Sequence, residues 1–208
     1  MLTKMFTLLA VIVATLSLTT AARAADPARA EYSADQVMEH SEGASKGRVY
    51  VAPGKERRET SEGGQNMLNI TRHDKKVTWM LMPEDKMYME TKHTAASQSK
   101  DDLSEYQIEQ SVVGTEKMNG VETTKSKIIM TGKDGSKMGG FMWTTKEGIQ
   151  VKLDAIAIDK NSKDRFKMEL TNIKISKQDP ALFEIPKGYE KMDMPGMDME
   201  SIKKMMKQ

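Results

Sequence analysis

Apolar and polar residues alternate along most of the chain, and this period of two predicts strands rather than long helices. The pattern is clearest at residues 77–82, which reverse at a Pro-Glu-Asp turn into residues 87–89. A second hairpin joins residues 127–131 to 141–143 across Asp134-Gly135, a dipeptide favoured in tight hairpin turns. Residues 32–42 also resemble a strand. We therefore predict a mainly β fold built on a single antiparallel sheet.

Two long alternating runs, at residues 149–158 and 166–175, change phase partway along their length. A change of phase moves the apolar residues to the other face of the sheet unless an extra residue intervenes. We therefore predict β-bulges near Asp154–Ala155 and near Thr171–Asn172, which would bend the sheet. The alternative is that each run forms two short strands.

Helical signals are confined to two short segments. Ser99 followed by Asp102 is typical of a capping box and predicts a short helix as far as Tyr106. Residues 197–207 place methionine and isoleucine on one side and lysines elsewhere, which predicts a second short helix at the C-terminus.

The start of the chain predicts a signal peptide. A positive end, an apolar run at residues 5–20 and the small-x-small pattern Ala22-Arg23-Ala24 indicate cleavage after Ala24. The run is short for a transmembrane anchor, which is the alternative. We divide the chain into a signal peptide (1–24), a loose N-terminal lead (25–31), a β domain (32–191) and a Met- and Lys-rich tail (192–208). The expected location is periplasmic or secreted.

The composition of the chain excludes several kinds of site and argues against one class of partner. The sequence of 208 residues contains no cysteine, which excludes disulfides, thiolate nucleophiles, Cys-ligated metals and a lipid-modified N-terminal cysteine. Cleavage would remove Lys4 and Arg23 and leave 30 basic against 30 acidic residues. A mature chain without a basic excess argues against nucleic acid as a partner.

No catalytic motif is present in the sequence. The histidines His40, His73 and His93 are far apart, and neither the H-E-x-x-H nor the G-x-S-x-G pattern occurs. We therefore expect a protein that is not an enzyme and that carries no cofactor.

Methionine is unusually common, with 19 residues against 4 Phe and 2 Trp. Within the strands, these thioethers either pack a core or line an adaptable apolar cavity. The tail repeats the pattern Met-x-Met, and thioethers at that spacing can bind Cu(I) or Ag(I). The alternative is a tail whose methionines have no such role. The candidate metal ligands are Met192, Met194, Met197 and Met199.

Several short motifs resemble a known family. They are GRVYVAPGK at residues 47–55 followed by Arg57, Arg58 and Glu59, then ITR at 70–72, WMLMP at 79–83 followed by KMY at 86–88, ELTNIK at 169–174 and LFEIPKGY at 182–189. Together they resemble an uncharacterised bacterial envelope family related to the lipoprotein-carrier superfamily of LolA and LolB. This resemblance implies a curved antiparallel half-barrel whose concave face binds acyl chains or other apolar ligands, with helices acting as a lid.

The expected function is therefore non-enzymatic binding of an acyl chain or lipid in the periplasm. The envelope membrane or a lipoprotein is a further candidate partner, and the oligomeric state stays open. Two alternatives remain, namely soft-metal handling by the Met-rich tail and a structural role in the envelope. The apolar side chains expected to contact the ligand are Trp79, Leu81, Phe141, Trp143, Val151, Leu153, Phe166 and Met168.

Overall fold

A computed structural model describes residues 30–41, 43–62, 65–93, 106–132, 135–158 and 163–192. Within these ranges the chain forms strands that all join one sheet, together with a short 3₁₀ helix at Pro180–Phe183. The strands are β1 (Tyr32–His40), β2 (Gly43–Ala52), β3 (Lys55–Glu62), β4 (Gln65–Arg72), β5 (Val77–Met82), β6 (Met87–Lys92), β7 (Tyr106–Met118), β8 (Val121–Gly132), β9 (Lys137–Thr144), β10 (Gln150–Ile158), β11 (Lys163–Ile175) and β12 (Glu190–Lys191).

The sheet consists of two series of hairpins joined through the first strand. Its order is β12-β6-β5-β4-β3-β2-β1-β11-β10-β9-β8-β7, so β1 lies between β2 and β11. All pairs are antiparallel except β12 with β6. The edge strands β12 and β7 do not pair with each other, and the sheet is open. The predicted mainly β fold with a single antiparallel sheet is confirmed.

The two hairpins predicted from the sequence are present as β5–β6 and β8–β9. Both faces of β5 are covered, as its run of apolar residues indicates. The β5–β6 hairpin nevertheless lies beside the β12 edge rather than at the centre of the sheet.

One predicted bulge is confirmed and the other is displaced. In β11 the pairing with β1 shifts between Ser33 and Asp35, and Asn172 adopts a φ of 50° there. In β10 the shift lies between Gln150 and Lys152, whereas the pairing with β11 runs without interruption through Asp154–Ala155. The prediction near Asp154–Ala155 was wrong because the later isoleucines simply lie on the other face of a regular strand, where Ile158 is half exposed.

Two of the glycines permit strands to approach each other closely. A Cβ atom on Gly140 in β9 would lie 2.1 Å from the carbonyl oxygen of Asp154. A Cβ on Gly47 in β2 would lie 1.8 Å from the carbonyl oxygen of Glu59. Because the obstructing atoms belong to the backbone, neither position accommodates a side chain without moving a strand.

The predicted signal peptide and the C-terminal helix at 197–207 lie outside the described residues. So does the helix expected from Ser99, except for its last residue, Tyr106, which is the first residue of β7. Within the described ranges, no helix is long and apolar enough to cross a membrane.

Candidate ligand-binding cavity

The sheet curves around a cavity of about 650 Å³. Arg58 of β3 and Met142 of β9 both line it, although β2, β1, β11 and β10 separate these strands in the sheet. We call the side of the sheet that carries these two residues the cavity face, and the other side the opposite face. The apolar lining consists of Met38, Val49, Val51, Met142, Phe166, Met168 and Leu170.

An apolar row crosses the cavity face from β1 to β9. Met38 pairs with Met168, Met168 with Leu153, and Leu153 with Met142. Directly paired residues of an antiparallel sheet lie on the same face with their Cβ atoms about 5 Å apart. Three of the four side chains are thioethers, which adapt to the shape of a bound molecule more readily than branched side chains do.

Polar side chains form the wall of the cavity on β3 and β1. Arg58 forms an ion pair with Glu56, and its Nη1 donates a hydrogen bond of 3.3 Å to Oε1 of Gln36. Gln36 is only 5% exposed, so this bond satisfies a buried amide oxygen. Burial, with a smaller contribution from the negative charge of Glu56, raises the pKa of Tyr32 to about 12. The tyrosine is therefore neutral, and the wall offers both donors and acceptors.

Four of the predicted ligand-binding residues lie on or beneath this surface. Phe166 and Met168 line the cavity, and Leu153 belongs to the apolar row. Val151 is fully buried in a core cluster that includes Leu170. The hairpin tip between β7 and β8 packs against the same cluster.

Trp79 and Leu81 lie on the opposite face. Both belong to a core cluster closed by Phe183 of the 3₁₀ helix. The indole nitrogen of Trp79 donates a hydrogen bond of 3.0 Å to Glu90. These two side chains are therefore packed against the chain's own C-terminal segment, and the structure does not bring them to the cavity.

Phe141 and Trp143 also point away from the cavity, since Met142 between them lines it. The indole of Trp143 donates a hydrogen bond to Glu116. The ammonium group of Lys125 lies 4.8 Å from the centres of both rings. Phe141 remains 38% exposed, so this aromatic pair forms a separate surface feature.

The C-terminal segment is fixed to the opposite face by two arginines that belong to the family-like motifs. Arg57 of β3 donates to the carbonyl oxygen of Leu182 at 3.2 Å, and buried Arg72 of β4 donates to that of Phe183 at 3.1 Å. Arg72 also forms ion pairs with Asp74 and Glu184. Hydrogen bonds from Arg72 hold the pKa of Asp74 at about 2. These motifs therefore serve packing between segments that are far apart in sequence.

The polar residues that form the wall of the cavity were not predicted from the sequence. Tyr32, Gln36 and Met38 lie at alternate positions of β1, and a buried glutamine among apolar neighbours is the signal that points to them. Arg58 and Glu56 could not be recognised, because charged residues in a strand are usually exposed to solvent.

Met192 is the only predicted metal ligand among the described residues, since Met194, Met197 and Met199 lie outside them. It packs against Met80 and Met89. Among the described residues, no group of three or more His, Asp or Glu side chains is arranged to hold a metal ion.

The chain is similar to several solved structures at low sequence identity. An uncharacterized conserved protein from Thermus thermophilus is 14% identical, with a TM-score of 0.54 over 79% of this chain and 90% of that chain. A chain of the Pseudomonas aeruginosa MucA/MucB complex is 12% identical, with a TM-score of 0.47 over 76% of this chain and 59% of that chain. A LolA superfamily protein, NE2245 from Nitrosomonas europaea, is 10% identical, with a TM-score of 0.39 over 75% of this chain and 90% of that chain.

No curated protein matches the sequence. A family model described as a domain of unknown function, DUF4412, matches residues 35–155. This range covers more than half of the chain, and the protein therefore belongs to the DUF4412 family.

Proposed function

We propose that the protein is a non-enzymatic, exported binding protein that holds an acyl chain or a similar apolar molecule in the cavity. The observation that carries this proposal is the apolar row from Met38 to Met142 facing a cavity that also has a polar wall. A volume of about 650 Å³ lies in the range typical of small-molecule sites. The sequence signal for export favours a function in the periplasm or outside the cell.

The chemistry of the lining favours binding of an amphipathic molecule. Each buried CH₂ group contributes about 0.8 kcal/mol, so a chain of several carbons along the apolar row would be held measurably. Arg58 is held in place by its ion pair with Glu56 and its hydrogen bond to Gln36. These groups therefore suit recognition of a polar head group at the end of the apolar chain.

We favour the envelope membrane or a lipoprotein as the source of such a molecule. A purely structural role in the envelope is the alternative, and it requires no bound ligand.

Titration with cis-parinaric acid, a fluorescent fatty acid, tests the proposal. The mature protein should bind the probe saturably. Met168→Trp, which fills the cavity from β11, should weaken binding at least about tenfold, or about 1.4 kcal/mol. The matched control is Lys167→Trp on the opposite face of the same strand, where Lys167 is paired with Glu39. This control should bind like the wild type.

Two results would contradict the proposal. One is the absence of saturable binding by a folded wild-type protein, which would favour the structural role. The other is an equal loss of affinity in both tryptophan variants, which would place the probe somewhere other than the cavity.

A further inference from the structure

Five methionines form a cluster on the cavity face at the β12 end of the sheet. Met80 and Met89 pair directly across β5 and β6 and are 4% and 5% exposed. Met67, Met82 and Met192 pack against them and are partly exposed. We call these five residues the methionine cluster. It shares no residue with the lining of the cavity.

The register of the strands explains how the cluster forms. Leu68 pairs with Leu81, so Met67 and Met82 follow as the next neighbours across β4 and β5. Met192 comes directly after β12, whose pairing with β6 leads it to Met89. Its amide nitrogen donates a hydrogen bond of 2.8 Å to the carbonyl oxygen of Tyr88, which fixes the backbone at this point.

The opposite face of the same strands provides an internal comparison. It presents Leu68, Ile70, Val77, Trp79 and Leu81, with no methionine among the buried residues of that cluster. Every member of the cluster on the cavity face is methionine. Packing alone is satisfied by branched and aromatic side chains, as the opposite face demonstrates. The concentration of sulfur on one face therefore points to a property of the thioether itself.

Thioethers are soft, neutral ligands that prefer Cu(I) and Ag(I) to harder ions such as Zn²⁺. The two buried methionines supply sulfur in a water-poor environment, and the three partly exposed ones give an ion access from solvent. The absence of cysteine from the sequence leaves methionine as the soft ligand that this chain offers.

We propose that the methionine cluster is a binding site for a soft monovalent cation, Cu(I) or Ag(I), with sulfur as its only ligand atom. Met192 connects this site to the Met-x-Met pattern of the tail. The site itself is assembled from β4, β5, β6 and the residue after β12. It is separate from the acyl-binding cavity.

Silver binding by the mature protein is the test, because Ag(I) requires no reductant. Isothermal titration should show saturable binding of Ag(I), and Zn²⁺ should not compete. Leucine substitutions preserve volume and apolar character, so the variants should fold, which circular dichroism checks. Three triple variants remove equal numbers of thioethers. They are Met80→Leu/Met82→Leu/Met89→Leu in the cluster, Met38→Leu/Met142→Leu/Met168→Leu in the cavity, and Met194→Leu/Met197→Leu/Met199→Leu in the tail.

The cluster variant should lose at least about tenfold in affinity for Ag(I), whereas the cavity and tail variants keep wild-type affinity. X-ray absorption of the Cu(I)-loaded protein should show sulfur as the only ligand type. If the cluster variant does not fold, Met82→Leu/Met192→Leu at the partly exposed positions should show the same loss. The proposal is overturned if the wild type takes up no Ag(I), if the cluster variant binds like the wild type, or if the tail variant alone abolishes binding.

Discussion

The two faces of strands β4 to β6 both carry apolar side chains but differ in how they are covered. On the opposite face, Leu81 and Ile70 are fully buried beneath Phe183, which the chain's own C-terminal segment supplies. On the cavity face, Met82 and Met67 remain partly exposed around a buried pair of methionines. On this part of the cavity face, the C-terminal segment contributes Met192, which is itself only partly buried.

Because of this difference, we expect the opposite face to provide stability and the cavity face to bind a ligand. The opposite face is closed by rigid side chains and by arginine hydrogen bonds to the backbone of the covering segment. The cavity face combines buried aliphatic residues such as Val49 and Leu170 with a paired polar wall and flexible thioethers, which can adapt to a molecule from outside. Substitutions on the opposite face should therefore reduce stability most, and substitutions on the cavity face should mainly alter binding.

Two neighbouring residues of β5 allow the two faces to be compared with the same substitution. Leu81→Asp places an unpaired charge in the closed core and should destabilise the protein by about 4 kcal/mol or more. Met82→Asp introduces the same side chain one position along, on the cavity face, and should cost about 1 kcal/mol. Unfolding in urea measures the loss of unfolding free energy in each variant. Equal losses would show that the two faces are equally closed.

Gly140 allows β9 to approach β10 closely. Gly140→Ala would push a Cβ against the backbone of Asp154 and should cost about 1–3 kcal/mol. Gly114→Ala in β7 is the matched control, because its Cβ would meet no atom within 4 Å. Thermal unfolding measures the stability of both variants. A Gly140→Ala protein as stable as the control would mean that the strands need not approach so closely.

The smallest expected effect concerns the attachment of the C-terminal segment. Arg72 lowers the pKa of Asp74 from 3.8 to about 2. Because the folded-state value is the lower one, the stabilisation is fully present above the unfolded-state pKa and is lost as the pH falls through about 2. The difference in unfolding free energy between wild type and Asp74→Asn should therefore shrink as the pH falls from about 5 to about 2.

Urea unfolding across that pH range measures this difference, with Asp85→Asn in the exposed β5–β6 turn as the control. A difference between wild type and Asp74→Asn that does not vary with pH would show that the ion pair contributes nothing in this window.

The sequence was sufficient to predict strands such as β5, β6, β8 and β9 and the turns between them, because alternation and turn residues act locally. It did not predict β3, whose residues are all polar, or β7. It could also locate the bulge at Asn172, where the phase of a long apolar run changes. It could not show which face of each strand lines the cavity. Alternation gives Phe141 and Trp143 a common face, but whether that face is the inner one depends on the curvature of the whole sheet.

Contacts between segments that are far apart along the chain could not be predicted from the sequence either. The covering of Trp79 and Leu81 by Phe183 joins segments that are far apart along the chain, and no local pattern predicts that contact. The same reasoning applies to Met192, which joins the methionine cluster because β12 returns beside β6. The motifs that resembled a family did mark important residues, since Arg57 and Arg72 hold the C-terminal segment in place.

The most direct test of the central claim is photo-crosslinking with a fatty acid that carries a diazirine near the end of its chain. After irradiation and proteolysis, mass spectrometry identifies the labelled residues. We expect labels on Met38, Met142, Phe166 and Met168 of the cavity face, with competition by unlabelled fatty acid. Labels concentrated on Phe141, Trp143 or Trp79 of the opposite face, or labelling that unlabelled fatty acid does not reduce, would contradict it.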